Sequence, residues 1–224
     1  VELLKAELNP DATRIKAQEL VRANDLKMVE RLKSLGFAVT AVDEHPTGDV
    51  LAGVSLIVIS DSVNTKQIQA KYKNVALPVV TWASDLYGAM GLTGKIAGED
   101  YGTTGSGTKP PNGDRFAWMV NGPSPLSAGL ATNVIQDLYD DNEFVTSWGK
   151  PSFGAINIAF IPGYPDKRTI FAYEKGATMD GGLLAPSRRV GFYLRTQDVE
   201  HMRPTGLKLF DAAVWWAVSP PDAP

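Results

Sequence analysis

Apolar residues recur at helical spacing in two segments of the chain. The segment NDLKMVERLKSLGF predicts a helix that is capped by Asn24 or Asp25 and ended by Gly36. The segment PTGLKLFDAAVWWAV predicts a final helix that begins at Pro204. The predicted buried faces are Leu26, Val29, Leu32 and Leu35 in the first helix, and Leu207, Phe210, Ala213 and Val214 in the last.

Continuous apolar runs of strand length lie between these helices. VSLIVIS (54–60) and ALPVVTW (76–82) read as strands covered on both faces, FAVTAVD (37–43) reads as a further strand, and a short helix is predicted at about residues 65–72. This alternation indicates βαβ units and a mostly parallel central sheet in one α/β domain over residues 1–224. Four later segments, RFAWMV, GAINIAFI, RTIFAYEK and RRVGFYL, predict shorter strands that extend the sheet.

Residues 93–115 form a segment rich in Gly, Thr and Pro that has no periodicity. A loop this long inside an α/β domain is usually functional or mobile, and we expect it to act as a lid over the sheet. The alternative is a surface excursion held on the sheet edge by Ile96, Tyr101 and Phe116. Residues 218–224 are expected to be a frayed tail.

Composition excludes several classes of function. The chain has no cysteine, so thiol nucleophiles, disulfides and thiolate metal sites are ruled out. Its net charge is -3 with no basic block, which argues against nucleic-acid binding. No apolar run reaches the length of a membrane span. The acidic cluster DLYDDNEF lacks calcium-loop spacing, and we expect neither a metal nor a cofactor.

The turn TWAS, after the strand ALPVVTW, is the place where many α/β enzymes expose a nucleophile. Ser84 is the hydroxyl there, but no G-x-S-x-G surrounds it, and the favoured interpretation is that Ser84 caps the next helix. A serine nucleophile also needs a base. Of the two histidines, His201 is a better candidate than His45, although a solvated or capping histidine is the simpler interpretation.

Several of these segments together resemble a glutamine amidotransferase-like domain of the ThuA-like type. They are IFAYEKGATM, APSRRVGFYL and TGLKLFDAAVWWA, with LKSLGFAVTAVD, LIVISDSV and LPVVTWASDL. The resemblance implies a flavodoxin-like three-layer fold, in a module attached to larger and often secreted or periplasmic bacterial proteins. It also implies that the TWAS turn occupies the position of the amidotransferase cysteine, and it hints at a carbohydrate connection.

These observations favour a non-catalytic binding or accessory domain, with a small-molecule or carbohydrate ligand and neighbouring domains as partners. The expected ligand cleft lies at the carboxyl ends of the strands and is formed by Ser60, Asp61, Trp82, Ser84, Asp85 and Glu174. Arg189 either pairs with Glu174 as a structural brace or binds a ligand anion.

Two other functions stay open. One is a hydrolase of sugar-linked substrates that uses Ser84, or a carboxylate such as Asp61 or Glu174, with His201 as the base. The other is a structural or docking domain of a larger protein. Trp82, Trp118 and Trp148 also fall at strand ends or in loops, where they could line a cleft together.

Overall fold

The fold is described from a computed structural model, over residues 12–44, 51–104, 115–140 and 144–219. For residues 12–22 only the backbone is described. His45, the middle of the glycine-rich loop and the end of the tail lie outside these ranges. The α-helices are α1 (Ala12–Ser34), α2 (Thr65–Ile68), α3 (Tyr87–Met90) and α4 (Pro204–Val218), and the 3-10 helices are Ser84–Leu86, Pro125–Ser127, Asp180–Gly182 and Thr196–His201. No helix in these ranges has the length and apolar character needed to cross a bilayer.

The described strands join into a single nine-stranded sheet. They are β1 (Ile57–Ile59), β2 (Val79–Thr81), β3 (Tyr101–Thr103), β4 (Phe116–Met119), β5 (Ile135–Asp137), β6 (Ser147–Gly149), β7 (Ile156–Ile161), β8 (Tyr164–Tyr173) and β9 (Arg189–Gly191). The order across the sheet is β1-β2-β9-β8-β7-β4-β5. The first half of the long strand β8 also pairs with β6, which in turn carries β3.

Parallel pairing is limited to one side of this sheet. Strands β1, β2 and β9 run parallel, as the apolar runs before residue 82 predict. The strands after residue 100 pair antiparallel with each other, and β8 pairs antiparallel with β9. The connections explain the change, since β7 and β8 are joined by Pro162 and Gly163 alone, and so short a link permits only a hairpin. The protein therefore has a mixed α/β fold, and the mostly parallel arrangement holds only for its first part.

Apolar side chains of the parallel part alternate between two hydrophobic clusters on opposite faces of the sheet. Val80 packs with α1 and α4 on one face, whereas Val79 packs on the other face with α2, α3 and the segments around them. Both faces of β1, β2 and β9 are consequently covered, which explains the continuous apolar runs at β1 and β2, whereas β9 places the buried Arg189 beside Val190.

The two predicted long helices compare differently with the structure. The last helix has the predicted bounds, and Phe210, Ala213 and Val214 are buried as expected. Helix α1, in contrast, begins at Ala12, so Asn24 lies within the helix and cannot cap it. Among the side chains described for this helix, from residue 23 onward, Asn24, Met28 and Leu32 are buried, while Leu26 is 53% exposed. Leu32 and Leu35 lie on the packed face as predicted, but Leu26 does not, because a polar side chain, Asn24, occupies a core position.

Two further predictions differ from the structure. FAVTAVD contains no strand in the described chain, although Phe37 and Val39 pack on the core. The loop predicted at residues 93–115 contains strand β3, which pairs with β6. Tyr101 packs against the sheet, as the surface-excursion alternative predicts, whereas Ile96 is exposed. The lid hypothesis falls largely on residues 105–114, outside the described residues.

Candidate functional site

The carboxyl ends of the three parallel strands meet at one edge of the sheet. Strand β1 is followed by Ser60 and Asp61, β2 by Trp82, and β9 leads through an extended segment to Arg195 and Thr196. Open α/β sheets bind their ligands at this edge, because the loops that leave the strands there diverge and form a crevice. The side chains at this edge are therefore the first candidates for a functional site.

Asp61 ties the end of β1 to the segment after β9. Its carboxylate forms an ion pair with Nε of Arg195, and its Oδ1 accepts the backbone N–H of Thr196 at 2.9 Å. Both side chains of the pair are largely buried, with 14% of Asp61 and 25% of Arg195 exposed. The second bond places the carboxylate at the start of the 3-10 helix Thr196–His201. Asp61 thus orders the edge, and its charge is balanced.

A chain of hydroxyls runs beside this pair to a carboxyl group on helix α1. Ser62 Oγ donates to Asp25 Oδ2 at 2.5 Å, and Oγ of Ser60 lies 2.5 Å from Oγ of Ser62. Burial raises the pKa of Asp25, and the nearby charge of Asp61 raises this pKa further, against the opposing effect of the serine hydroxyls. Ser62 is exposed, so one end of this chain of hydroxyls is accessible from solvent. The group offers hydroxyl donors and carboxylate acceptors within one small area.

Two more polar side chains, those of Asn24 and Asp198, form hydrogen bonds next to the site. Asn24 is fully buried and donates to the carbonyl of Gln197 at 3.2 Å, while its Oδ1 has no partner among the described residues. Asp198 accepts the backbone N–H of Val145 at 3.1 Å. Burial raises the pKa of Asp198, with Arg195 acting in the opposite direction. Helix α1 is thus joined to the Thr196–His201 helix by polar contacts next to the site.

The residues predicted at the TWAS turn have mainly structural roles. Trp82 is buried, and its indole N–H donates to Thr196 Oγ1 at 2.9 Å. Ser84 is also buried and is the first residue of a 3-10 helix whose cap is Ala83, without a side-chain bond. The prediction that Ser84 caps a helix is therefore wrong. Asp85 is exposed at the same turn and stays a candidate ligand contact.

Glu174 and Arg189 lie at the opposite edge of the sheet. Strand β8 runs antiparallel to β9, and Tyr173 pairs with Arg189, so Glu174 lies beside the start of β9 rather than its end. The carboxylate of Glu174 binds the neighbouring Arg188 through two bonds, of 2.7 and 3.2 Å. Glu174 therefore forms a structural ion pair, as predicted, but its partner is Arg188 rather than Arg189. The structure does not bring Glu174 into the cleft.

Arg189 is itself buried and serves the loop before β2. Its guanidinium donates to the carbonyls of Val75 at 2.6 Å and Leu77 at 2.7 Å. Burial lowers the pKa of Arg189 to about 10. These contacts fasten the loop and leave no exposed surface for a ligand anion.

The structure does not bring His201 and Ser84 together as a base and a nucleophile. Nδ1 of His201 lies 3.0 Å from Oδ1 of Asp140, and its ring stacks on Phe144 with centroids 4.2 Å apart. The predicted tryptophan cleft is absent from the described structure as well, because Trp82 and Trp148 are both buried and Trp118 lies on strand β4.

Four residues of the site escaped the sequence analysis, namely Asp25, Ser62, Arg195 and Thr196. Ser62 follows Asp61 shortly after β1, and this Asp-Ser sequence is only a weak indication that Ser62 belongs to a site. Arg195 and Thr196 contact Asp61 from more than 130 positions away in the chain, a contact that no local pattern encodes. Asp25 was interpreted as a cap, because the preceding turns of α1 are polar and carry little periodicity.

No set of three or more metal-binding side chains lies close together in the described part of the chain. Comparison with known proteins gives no further guide to the site, since no family model and no curated protein matches the chain.

Proposed function

We propose that the chain is a non-catalytic binding domain for a small, neutral, hydroxyl-rich ligand such as a sugar. The observation that supports this proposal most directly is the Ser60–Ser62–Asp25 chain beside the Asp61–Arg195 pair, at the carboxyl edge of the parallel strands.

The chemistry of these groups fits a polyol. Hydroxyl groups of a sugar both donate and accept hydrogen bonds, and serines next to a carboxylate offer both kinds of partner. A charged ligand fits less well, because Asp61 and Arg195 already neutralise each other. Asp85, exposed at the neighbouring turn, adds one more acceptor at this edge.

We further propose that the parallel part is a flavodoxin-like three-layer unit of the ThuA-like type, in an accessory module of a larger protein. The helical segments packed on both faces of β1, β2 and β9 support this proposal. The larger protein and its neighbouring domains would then supply the chemistry that acts on the bound ligand.

Saturation-transfer NMR with a panel of neutral monosaccharides and disaccharides tests the ligand class. We expect at least one sugar to bind, and Asp25→Ala or Ser62→Ala to weaken its binding about fivefold, as the loss of one hydrogen bond predicts. Glu99→Gln removes an exposed carboxylate outside the site and should leave binding unchanged. If no sugar binds, or if both site variants bind normally, the proposal is wrong and a docking role becomes the better account.

A hydrolase is the second candidate, and one observation favours it. Ser62 is an exposed hydroxyl bonded directly to Asp25, a carboxylate whose raised pKa makes it a stronger base. In this role Ser62, rather than Ser84, would be the nucleophile. Release of nitrophenol from nitrophenyl glycosides and esters by the native chain, abolished in Ser62→Ala, would establish hydrolysis. The binding proposal predicts no release above background.

A further inference from the structure

A row of side chains crosses the antiparallel part of the sheet, remote in sequence from the carboxyl-edge site. Four residues on adjacent strands face one another in the sheet. Ile135 on β5 is paired with Trp118 on β4, and Trp118 is paired with Phe160 on β7. Phe160 is in turn paired with Arg168 on β8. Ala117 and Met119, on either side of Trp118, point into the core, so Trp118 is on the opposite face. We call these four residues the aromatic row.

Contacts within the row are close. The rings of Trp118 and Phe160 stack with centroids 5.7 Å apart and planes 22° from parallel. Cζ of Arg168 lies 5.5 Å from the centroid of the Phe160 ring, a cation–π distance. Ile135 is half exposed at the outer end of the row, and the other three members are each partly exposed. The row is therefore an apolar surface that ends in a positive charge.

An irregularity in the sheet places Arg168 on this face. Ala159 pairs with Ile170, yet the next residue, Phe160, pairs with Arg168, so β8 holds one residue more than β7 between these two pairs. The extra residue is Thr169, which is buried. A bulge of this kind re-aims the neighbouring side chain, and bulges are often found where a sheet carries a functional group.

The guanidinium of Arg168 has no counter-ion within the described chain. None of the hydrogen bonds or ion pairs found there includes it, and the nearby carboxylate of Asp166 is bound to Lys150 at 2.9 Å. Partial burial lowers the pKa of Arg168, against the opposing effect of the Asp166 charge, in keeping with a charge that has lost water without gaining a directly paired anion. Such a charge costs stability, and an anion that pairs with it would remove this cost.

We propose that the aromatic row binds a small organic carboxylate that carries a flat apolar ring, an aryl carboxylate. The carboxylate pairs with the guanidinium of Arg168, which presents a planar set of donors suited to it. The ring then lies against Phe160 and Trp118, where aromatic contacts add to the attraction. This site is separate from the proposed sugar site and does not depend on it.

Calorimetric titration of the full chain with three probes tests the proposal. The probes are 2-naphthoate, its uncharged analogue 2-naphthamide, and acetate, which has the charge without the ring. We expect 2-naphthoate to bind at least about tenfold more tightly than either of the other two, because only it makes both contacts. Equal binding of naphthoate and naphthamide would show an apolar patch without anion recognition, and would overturn the proposal.

Substitutions in the aromatic row test whether the probes bind there. Arg168→Gln should weaken naphthoate binding about tenfold and leave naphthamide binding unchanged. Trp118→Leu should weaken the binding of both ring probes. Lys208→Gln removes an exposed positive charge from α4 and is the matched control. Naphthoate that binds Arg168→Gln as it binds the native chain, or that fails to bind the native chain, contradicts the proposal. Far-ultraviolet circular dichroism verifies that each variant is folded.

Discussion

The carboxyl group of Asp25 is partly buried, which disfavours its charged form, yet it is connected to solvent through Ser62. Burial and the charge of Asp61 both raise its pKa, yet its Oδ2 bonds to a serine that faces solvent. Because the folded pKa lies above that of the unfolded chain, the native state retains this proton to higher pH. Ionisation therefore reduces stability as the pH rises from the unfolded pKa through the folded pKa. Groups held at such a cost are common at functional sites.

The variant Asp25→Asn should accordingly be more stable than the native chain at neutral pH. Since the group is only partly buried, we expect a gain of about 1–2 °C in Tm at pH 7, which should vanish below about pH 3.5. Thermal unfolding followed by circular dichroism across this pH range measures the difference. Glu99→Gln controls for the loss of one exposed charge. A lower Tm at pH 7 would mean that the serine hydrogen bonds outweigh the cost of burial.

Helix α4 is held at its C-terminal end by one side chain from the sheet. Arg188, just before β9, donates to the carbonyl of Trp216 at 2.5 Å and to that of Ser219 at 2.9 Å, while it also binds Glu174. The last carbonyls of a helix have no partner within the helix, so this guanidinium satisfies groups that would otherwise be left over. The Arg188–Glu174 brace therefore joins α4 to β8 and β9.

Removal of the two members of this brace should have unequal effects. Arg188→Ala leaves two carbonyls and a carboxylate without their donor, and we expect a loss of about 2–3 kcal/mol in the free energy of unfolding. Glu174→Gln should cost less than about 1 kcal/mol, since 41% of the Glu174 side chain is exposed. Urea denaturation measures both values. Equal effects of the two substitutions would contradict this account of how the helix end is held.

The predicted and observed helices and strands differ in a way that shows which parts of the fold are encoded locally in the sequence. Helix α4 was predicted with its correct bounds, because Pro204 begins a long apolar stripe that one face of the helix buries. Strands β1 and β2 were predicted because both of their faces are apolar. Strands β3, β5 and β6 were missed because their sequences, YGT, IQD and SWG, contain no apolar run, and such strands depend on distant pairing partners.

The candidate site was predictable only in part. Ser60, Asp61 and Asp85 follow from the rule that parallel strands present their carboxyl ends at one edge. Glu174 was placed there wrongly, because the direction of β8 depends on the two-residue turn that precedes it. The contribution of Asp25 depends on how α1 packs against the Thr196–His201 helix, which no spacing in the sequence encodes.

At the scale of the whole molecule, the described strands are buried where the parallel and antiparallel parts meet. The residues of β9 and the second half of β8 are buried, whereas β5 is a partly exposed edge strand. Regions with dense buried packing open only through global unfolding, and edges open locally.

Amide hydrogen exchange should therefore be slowest at Phe171–Tyr173 and Arg189–Gly191. We expect the amides of Ile135–Asp137 to exchange at least about a hundredfold faster, through local opening that costs at least about 3 kcal/mol less. Exchange followed by NMR at neutral pH gives both rates. Equal protection of β5 and β9 would indicate that the edge strand is covered in solution.

The central position of β9 sets the order in which this protein can fold. Strand β2 can pair with β1 early, but its second partner, β9, is synthesised late, and the indole of Trp82 and the hydroxyl of Thr196 that binds it are 114 positions apart. Contacts between such distant positions form slowly, because a long loop must close first. While the ribosome adds the intervening residues, the inner edge of β2 is open to other chains. The contacts of Asp61 are thus completed only after Arg195 and Thr196 have emerged, so a product truncated before β9 exposes the inner edge of β2 and lacks these contacts.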